Sequence, residues 1–174
     1  MAWVRNLEAR LQLPPPADAN YVTLLDTGVN IGHPLLQGSV AAGDLHAYDA
    51  AWHTNDHDGH GTGMAGLALL GCLTGPLASS QPHAVPHRME SVKILPPTGA
   101  NAPHLYGTIM FEAARLVEHA NPGLRRVFAM MTTETGESRG LPTEWSASLD
   151  LLAYGAPTHD EVAGEEGDEF EPIQ

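Results

Sequence analysis

The sequence is short of cations and of cysteine, and both shortages limit what the protein can be. It carries 8 basic against 21 acidic residues, a net charge of -13, and its only lysine is Lys93. A surface that follows nucleic-acid phosphates needs clustered Lys and Arg, so we expect no nucleic-acid partner. Cys72 has no second cysteine for an internal disulfide, which is typical of a reducing compartment, and we expect a cytoplasmic protein.

Long apolar runs are also absent. The longest nearly apolar stretch, from Met64 to Leu73, is well short of the roughly 18 residues that a bilayer-spanning helix needs. The first residues carry Arg5, Glu8 and Arg10 where a signal peptide needs an unbroken apolar run. We therefore expect no membrane partner and no secretion through this segment.

Length and composition predict one folded domain with a short segment on either side. A chain of 174 residues with 43% hydrophobic residues can bury roughly 70% of its unfolded surface. We expect a leading segment over residues 1–19, with a helix from Trp3 to Leu13 that ends at three prolines. The domain follows over residues 20–155. In the tail, 156–174, the last fifteen residues hold 7 of the 21 acids, which predicts a flexible, solvated segment.

Alternating strand and helix patterns predict the fold class. The expected elements, in chain order, are a strand at Tyr21–Leu25, a helix from His60, a strand at Glu90–Leu95, a helix around Leu105–Val117, a strand at Arg126–Thr132 and a helix capped by Thr143. This order predicts an α/β protein with a doubly wound parallel sheet and helices on both faces. Residues 29–59 are predicted to be mostly loop, with at most one short element. Since residues 156–174 show no β run, we expect the sheet to be incomplete at its carboxyl end.

The helix that begins at His60 has an unusual composition. The segment GHGTGMAGLALLG is small and apolar all round, which predicts a buried helix whose neighbours approach its backbone closely. Glycine inside a helix costs about 1 kcal/mol relative to alanine, so close packing of neighbours is the expected reason for it. We expect Cys72, just beyond, to be a small buried hydrophobe.

Two residues of this pattern can act together chemically. Asp26 follows the first strand, and His60 begins the next helix, so both are expected at the carboxyl edge of the sheet, where ligands bind in such folds. A carboxylate that accepts a hydrogen bond from histidine fixes its tautomer and stabilises the imidazolium, which makes an oriented general base. An Asp and a His 34 residues apart are weak evidence on their own.

The sequence around these two residues resembles the subtilases, the subtilisin-like serine peptidases. The Asp box runs Asp26-Thr27-Gly28-Val29-Asn30, followed by His33-Pro34-Leu35-Leu36, and the His box runs Asp58-Gly59-His60-Gly61-Thr62-Gly63-Met64-Ala65-Gly66. The resemblance covers about residues 20–155. It implies that Asp26 and His60 are catalytic, with Asp26 orienting His60 as the general base of a serine endopeptidase.

The resemblance also implies where a peptide substrate would bind. Subtilase substrates lie as an added strand between two edges, which is β-augmentation. The substrate-binding residues expected here are Gly99, Ala100 and Asn101 on one edge and Met131, Thr132 and Thr133 on the other. The second edge departs from the Ser-Leu-Gly that is usual in the family, which puts the pocket shape in question.

The serine nucleophile and the oxyanion asparagine have no counterpart in the sequence. No serine stands in a Gly-Thr-Ser-Met-Ala type of box, and no asparagine follows Asn121. The seven serines are Ser39, Ser79, Ser80, Ser91, Ser138, Ser146 and Ser148. We therefore expect a fragment of a serine endopeptidase that is inactive as the 174-residue chain alone. The alternative is a truncated, catalytically inactive module that binds peptides or protein partners.

The histidines and acids near the His box allow a second interpretation. His53 and His57, together with His60, Asp56 and Asp58, are residue types that suit zinc and similar ions. We prefer to interpret His53 and His57 as solvated loop residues, and we expect no metal and no cofactor. Asp56 and Asp58 either tune the loop before His60 or are simply polar loop residues, and the second interpretation is preferred.

Overall fold

The structure is a computed structural model, which describes residues 2–132 and 141–155. Its helices are α1 (Ala2–Glu8), α2 (His60–Leu70), α3 (Thr74–Ala78), α4 (Tyr106–Ala120) and α5 (Glu144–Tyr154). Its strands are β1 (Leu11–Gln12), β2 (Tyr21–Asp26), β3 (Leu45–Ala47), β4 (His83–Ala84), β5 (Arg88–Lys93) and β6 (Arg126–Met130). Short 3₁₀ turns occur at Ala42–Asp44, Ala50–Trp52 and Pro103–Leu105.

A four-stranded parallel sheet forms the centre of the molecule, in the order β3-β5-β2-β6. β2 is almost completely buried, as expected for a continuous apolar strand inside a parallel sheet. In the register between β2 and β5, Asp26 lies opposite Lys93, so both polar side chains stand at the carboxyl edge. A separate two-stranded parallel pair joins β1 to β4.

Helices cover both faces of this sheet. Leu24 belongs to a core cluster that contains Ala65 and Leu69 of α2, whereas its neighbour Leu25 belongs to a second cluster under α4. Successive residues of a strand point to opposite faces, so one strand supplies both cores. The predicted α/β class, with its doubly wound parallel sheet, is confirmed.

A buried ion pair joins the sheet to the end of α4. Oε1 of Glu90 on β5 accepts hydrogen bonds from Oγ1 of Thr23 at 2.5 Å and from Nε of Arg126 at 2.7 Å. The Arg126 guanidinium also donates to the carbonyls of Val117 and Asn121. Three neighbouring strands and the last turn of α4 are therefore tied together by charge-assisted hydrogen bonds.

The leading segment differs from its prediction. α1 ends at Glu8 rather than near Leu13, because Leu11 and Gln12 pair with β4, more than seventy residues away in the chain. Leu7 is completely buried in the α2-side core, so α1 packs on the sheet domain. The spacing of apolar residues along the segment predicts neither the pairing of β1 with β4 nor the packing of Leu7 in the core. The boundaries proposed at residues 19 and 155 stay predictions.

The strand ends need correction, whereas residues 29–59 are mostly loop with one short strand, as predicted. Residues 45–47 form β3, an edge strand too short to show a pattern in the sequence. β5 begins and ends two residues earlier than predicted, and β6 ends at Met130 rather than Thr132. The loop after β2 supplies Val29, Leu35, Leu36 and Val40 to the core, although these residues have no regular period.

The prediction that α2 is a buried helix with close neighbours holds for one face of the helix and is wrong for the other, among the described residues. Its buried residues, Gly61, Ala65, Leu69 and Leu70, form one face, while Leu67 is 55% exposed. Cys72, expected to be buried, is exposed. Close packing explains only one of the glycines inside α2. A Cβ on Gly61 would overlap the carbonyl oxygen of Gly28, whereas Gly63 has open space among the described residues.

In the part of the chain that the structure describes, no helix combines the length and the apolar character that crossing a membrane requires.

The two helical glycines give a matched pair of substitutions. We expect Gly61→Ala to destabilise the chain by about 1–3 kcal/mol, because the added methyl meets backbone that must shift. Gly63→Ala should stabilise it by about 0.5–1 kcal/mol through a lower backbone entropy cost. Urea unfolding followed by circular dichroism measures both. Equal effects from the two substitutions would contradict the close contact at Gly61.

Candidate active site

Asp26 and His60 are in direct contact at the carboxyl edge of the sheet. Asp26 is the last residue of β2 and is fully buried, and His60 is the first residue of α2. Nδ1 of His60 lies 2.8 Å from Oδ1 and 3.0 Å from Oδ2 of Asp26. An ionised carboxylate can only accept, so Nδ1 carries the proton and donates it. In the neutral ring Nε2 is then left with a free lone pair.

The other edge of the imidazole faces solvent. The His60 side chain is 47% exposed, and no residue of the described chain bonds to its Nε2. The hydrogen bond to Asp26 raises the pKa of His60 above its ordinary value, and the charges of Asp26, Asp58 and Asp56 act in the same direction. The ring is thus held at one nitrogen by an acid and open at the other, with its protonated form favoured.

The loop before α2 closes tightly over the end of β2. Gly28 has a φ of +101°, and a Cβ there would lie 2.5 Å from the carbonyl oxygen of Thr54, so only glycine fits. Lys93 is buried under the same loop, where its Nζ donates to the carbonyls of Trp52 at 3.3 Å and Asn55 at 2.6 Å. Burial lowers the pKa of Lys93.

Asp56 is the buried acid of this loop. Its carboxylate accepts from the backbone amides of Asp58, Gly59 and Thr62 and from Oγ1 of Thr27. Burial alone would raise the pKa of Asp56, but the hydrogen bonds, led by those from Thr62, outweigh it and hold this pKa far below its ordinary value. The carboxylate is therefore ionised, and its burial together with its four hydrogen bonds does not support the interpretation of Asp56 as a simple polar loop residue.

A cavity of about 290 Å³ lies beside the loop that carries His57 and Asp58. Among its lining residues are Gly99, Ala100, Asn101 and Thr132, four of the six residues predicted to bind substrate. Nδ2 of Asn101 donates to the carbonyl of Ile94 at 2.7 Å, which holds that edge against the end of β5. Met131 does not line the cavity and is exposed, and Thr133 lies outside the described residues.

The apolar wall of this cavity was not predicted. Tyr106 and Ile109 at the start of α4 and Trp145 of α5 form much of it, and the rings of Tyr106 and Trp145 lie 5.0 Å apart. The sequence marks both helices but not their mutual contact. The close approach occurs at Gly107, where a Cβ would overlap the Ser148 side chain.

The metal interpretation finds no geometric support. Within residues 2–132 and 141–155, no three His, Cys, Asp or Glu side chains are grouped so that they could hold a metal ion. His53 and His57 are exposed loop residues. Of the seven serines, Ser138 lies outside the described part of the chain, and no hydrogen bond joins a described serine to His60.

Comparison with known proteins establishes the family. The model of the subtilase family matches residues 18–163, which is most of the chain and includes both boxes. The chain belongs to the subtilase family, a family of serine peptidases. No curated protein and no solved structure matches it.

The raised pKa of His60 predicts a pH-dependent contribution to stability. A group whose pKa rises on folding stabilises the fold below its unfolded pKa, and this contribution disappears as the pH passes its folded pKa. The loss of unfolding free energy caused by His60→Gln should therefore be larger at about pH 5.5 than at about pH 8.5.

Urea unfolding at the two pH values measures this difference. His57→Gln is the matched control, because the His57 side chain is exposed and no hydrogen bond joins it to a carboxylate in the described chain. A destabilisation by His60→Gln that grows with pH would contradict the assigned geometry.

Proposed function

We propose that this chain carries the general-base half of a subtilisin-like serine endopeptidase. Asp26 and His60 are its catalytic residues. The serine that they activate belongs to a third family box, and no residues of this sequence match that box. The observation that supports the proposal most strongly is the hydrogen bond of 2.8 Å between Nδ1 of His60 and Oδ1 of buried Asp26.

The proposed chemistry follows from the two edges of the imidazole. Nε2 takes the hydroxyl proton of the serine as its oxygen attacks the scissile carbonyl carbon, which gives an imidazolium and a tetrahedral oxyanion. The imidazolium returns the proton to the leaving amine as the peptide C–N bond breaks. Water then attacks the acyl-enzyme in the same way: His60 takes a proton from the water and returns it to the serine oxygen as the acyl product leaves. Asp26 stabilises the imidazolium during both acylation and deacylation and is not itself protonated.

The substrate would be an extended peptide. Gly99, Ala100 and Asn101 supply an edge whose backbone can pair with it, and Thr132 lies across the same cavity, consistent with the proposed second edge of Met131, Thr132 and Thr133. The wall formed by Ile109 and Trp145 favours an apolar substrate side chain in the cavity. Affinity would come from main-chain hydrogen bonds and selectivity from the cavity.

A second candidate function is peptide or protein binding without cleavage. The sequence is consistent with it, because none of its seven serines stands in a Gly-Thr-Ser-Met-Ala type of box. The coding sequence beyond codon 174 separates the two candidates. An in-frame Gly-Thr-Ser box supports the endopeptidase, and a stop codon directly after Gln174 supports the binding module.

Labelling with a fluorophosphonate probe tests the missing nucleophile. The 174-residue chain should show no covalent adduct by intact-mass spectrometry, because in subtilisin itself the loss of one triad member already removes many orders of magnitude of activity. A serine peptidase labelled in the same tube controls for probe quality. An adduct on any serine of this chain would show a nucleophile that the proposal does not include.

If the coding sequence beyond codon 174 supplies a serine box, substitution in that longer protein tests the general base. His60→Ala should abolish peptide hydrolysis, because His60 alone among the described histidines makes a hydrogen bond to Asp26, whereas His57→Ala should retain most of it. Initial rates with a chromogenic peptide measure both, with and without a chelator. Comparable losses from the two substitutions, together with inactivation by chelator, would favour a metal site over the proposed pair.

A further inference from the structure

The structure shows how the Asp26–His60 contact is held. The first turn of a helix has backbone amides without partners inside the helix, and each must find an acceptor elsewhere. In α2 the amide of His60 donates to Oδ1 of Asp58 at 2.8 Å, that of Gly61 to Oγ1 of Thr27 at 2.9 Å, and that of Thr62 to Oδ2 of Asp56 at 2.7 Å.

Thr27 connects this turn to the sheet. Its hydroxyl accepts from the Gly61 amide and donates to Oδ1 of Asp56 at 2.9 Å, an arrangement that we call the Thr27 bridge. Thr27 directly follows Asp26 in the chain, and Gly61 directly follows His60. The bridge therefore joins the immediate neighbours of the two proposed catalytic residues and limits how far the imidazole can move from its carboxylate.

Asp56 sets the direction of the Thr27 bridge. Because the ionised Asp56 carboxylate can only accept, the Thr27 hydroxyl donates its hydrogen bond to Asp56 and leaves its oxygen lone pairs for the Gly61 amide. It also bonds the amides of Gly59 and Thr62, on either side of His60. Lys93 holds the opposite side of the loop through the Asn55 carbonyl, immediately before Asp56.

From this arrangement we propose that Asp56 is a positioning residue for the Asp26–His60 pair, which acts through Thr27 and the first turn of α2. The inference rests on the proposed function, because it concerns the residue that keeps the general base in place. Asp56 itself contacts neither His60 nor Asp26 through its side chain in the described hydrogen-bond network. Its role is to fix the distance between the two.

Asp58 is the matched comparison for Asp56. It carries the same charge in the same loop and bonds the same helical turn, but its side chain is exposed and makes no contact with Thr27. The charge of Asp58 raises the pKa of His60 at least as much as the charge of Asp56 does, and the Asp26 carboxylate has the largest effect of all. A purely electrostatic role would thus make the loss of Asp58 the more damaging of the two.

The test measures His60 in the full 174-residue chain, so it needs no turnover. Carbon-detected or proton–carbon NMR follows the His60 ring through a pH titration, with His60→Gln used to assign its signals among the ten histidines. Nitrogen shifts of the ring report which nitrogen carries the proton. The variants are Asp56→Asn, Asp58→Asn, Thr27→Val and Thr27→Ser.

We expect Asp56→Asn to lower the His60 titration midpoint by about half a pH unit or more, and by more than Asp58→Asn does. Thr27→Val should also lower it and reduce the fraction of Nδ1–H tautomer, although no charge is removed. Thr27→Ser, which keeps the hydroxyl, should titrate like the parent chain. If Asp56→Asn does not fold, the Thr27 pair decides, since valine changes little except the loss of a hydroxyl.

Two results would overturn the proposal. One is a parent-like midpoint and tautomer in both Asp56→Asn and Thr27→Val, which would leave Asp56 with a role in stability only. The other is a decrease of the His60 titration midpoint in Asp58→Asn that equals or exceeds the decrease in Asp56→Asn. That result would mean that both acids act on His60 only through their charges. Neither result bears on whether a serine is supplied to the site, so the positioning role and the proposed function fail separately.

Discussion

At the junction of β2 and α2, the backbone of Gly61 packs directly against the carbonyl of Gly28, and the amide of Gly61 lies 2.9 Å from the Thr27 hydroxyl. This close approach requires glycine on both sides, because a Cβ on Gly61 would overlap the Gly28 carbonyl and a Cβ on Gly28 would meet the Thr54 carbonyl. The His60 ring can reach buried Asp26 only because α2 begins so near the end of β2. The rest of the site depends on that distance.

Two buried charged side chains of β5 bond to elements on opposite faces of the sheet. Lys93 bonds loop carbonyls on the α2 side, whereas Glu90 pairs with Arg126 beside the end of α4. Each makes two hydrogen bonds through its charged group, which offset part of the cost of removing a charge from water. The strand next to β2 thus fixes the loop before α2 on one face of the sheet and the end of α4 on the other.

The exposed face of α2 changes how its composition is understood. Small residues all along the helix suggested that neighbours approach on every side, but the structure shows such an approach only at Gly61. Gly63 and the exposed Leu67 lie on a face that no other described element covers. Composition reports that close packing is allowed and cannot report which neighbour, if any, is present.

Much of the fold and part of the site could be predicted from local pattern. The buried strand Tyr21–Asp26, the helix start at His60 and the Thr143 cap with its Gly155 stop are each specified by neighbouring residues, and the structure contains all three. The three-residue strand β3 and the pairing of Leu11 with His83 could not be predicted, because their hydrogen bonds join segments that are distant in sequence and too short to carry a period.

The sequence by itself determined the order of the longer strands and helices, the two family boxes and the choice of Asp26 and His60 as candidate site residues. These follow from residue types at fixed spacings along one chain. Only the tertiary structure decided that Asp56 bonds Thr27, that Lys93 is buried under the loop, and that Tyr106 and Trp145 meet across a cavity. The physical reason is that hydrogen bonding and burial depend on distances in space, and these distances exist only after the sheet has brought the carboxyl ends of its strands together.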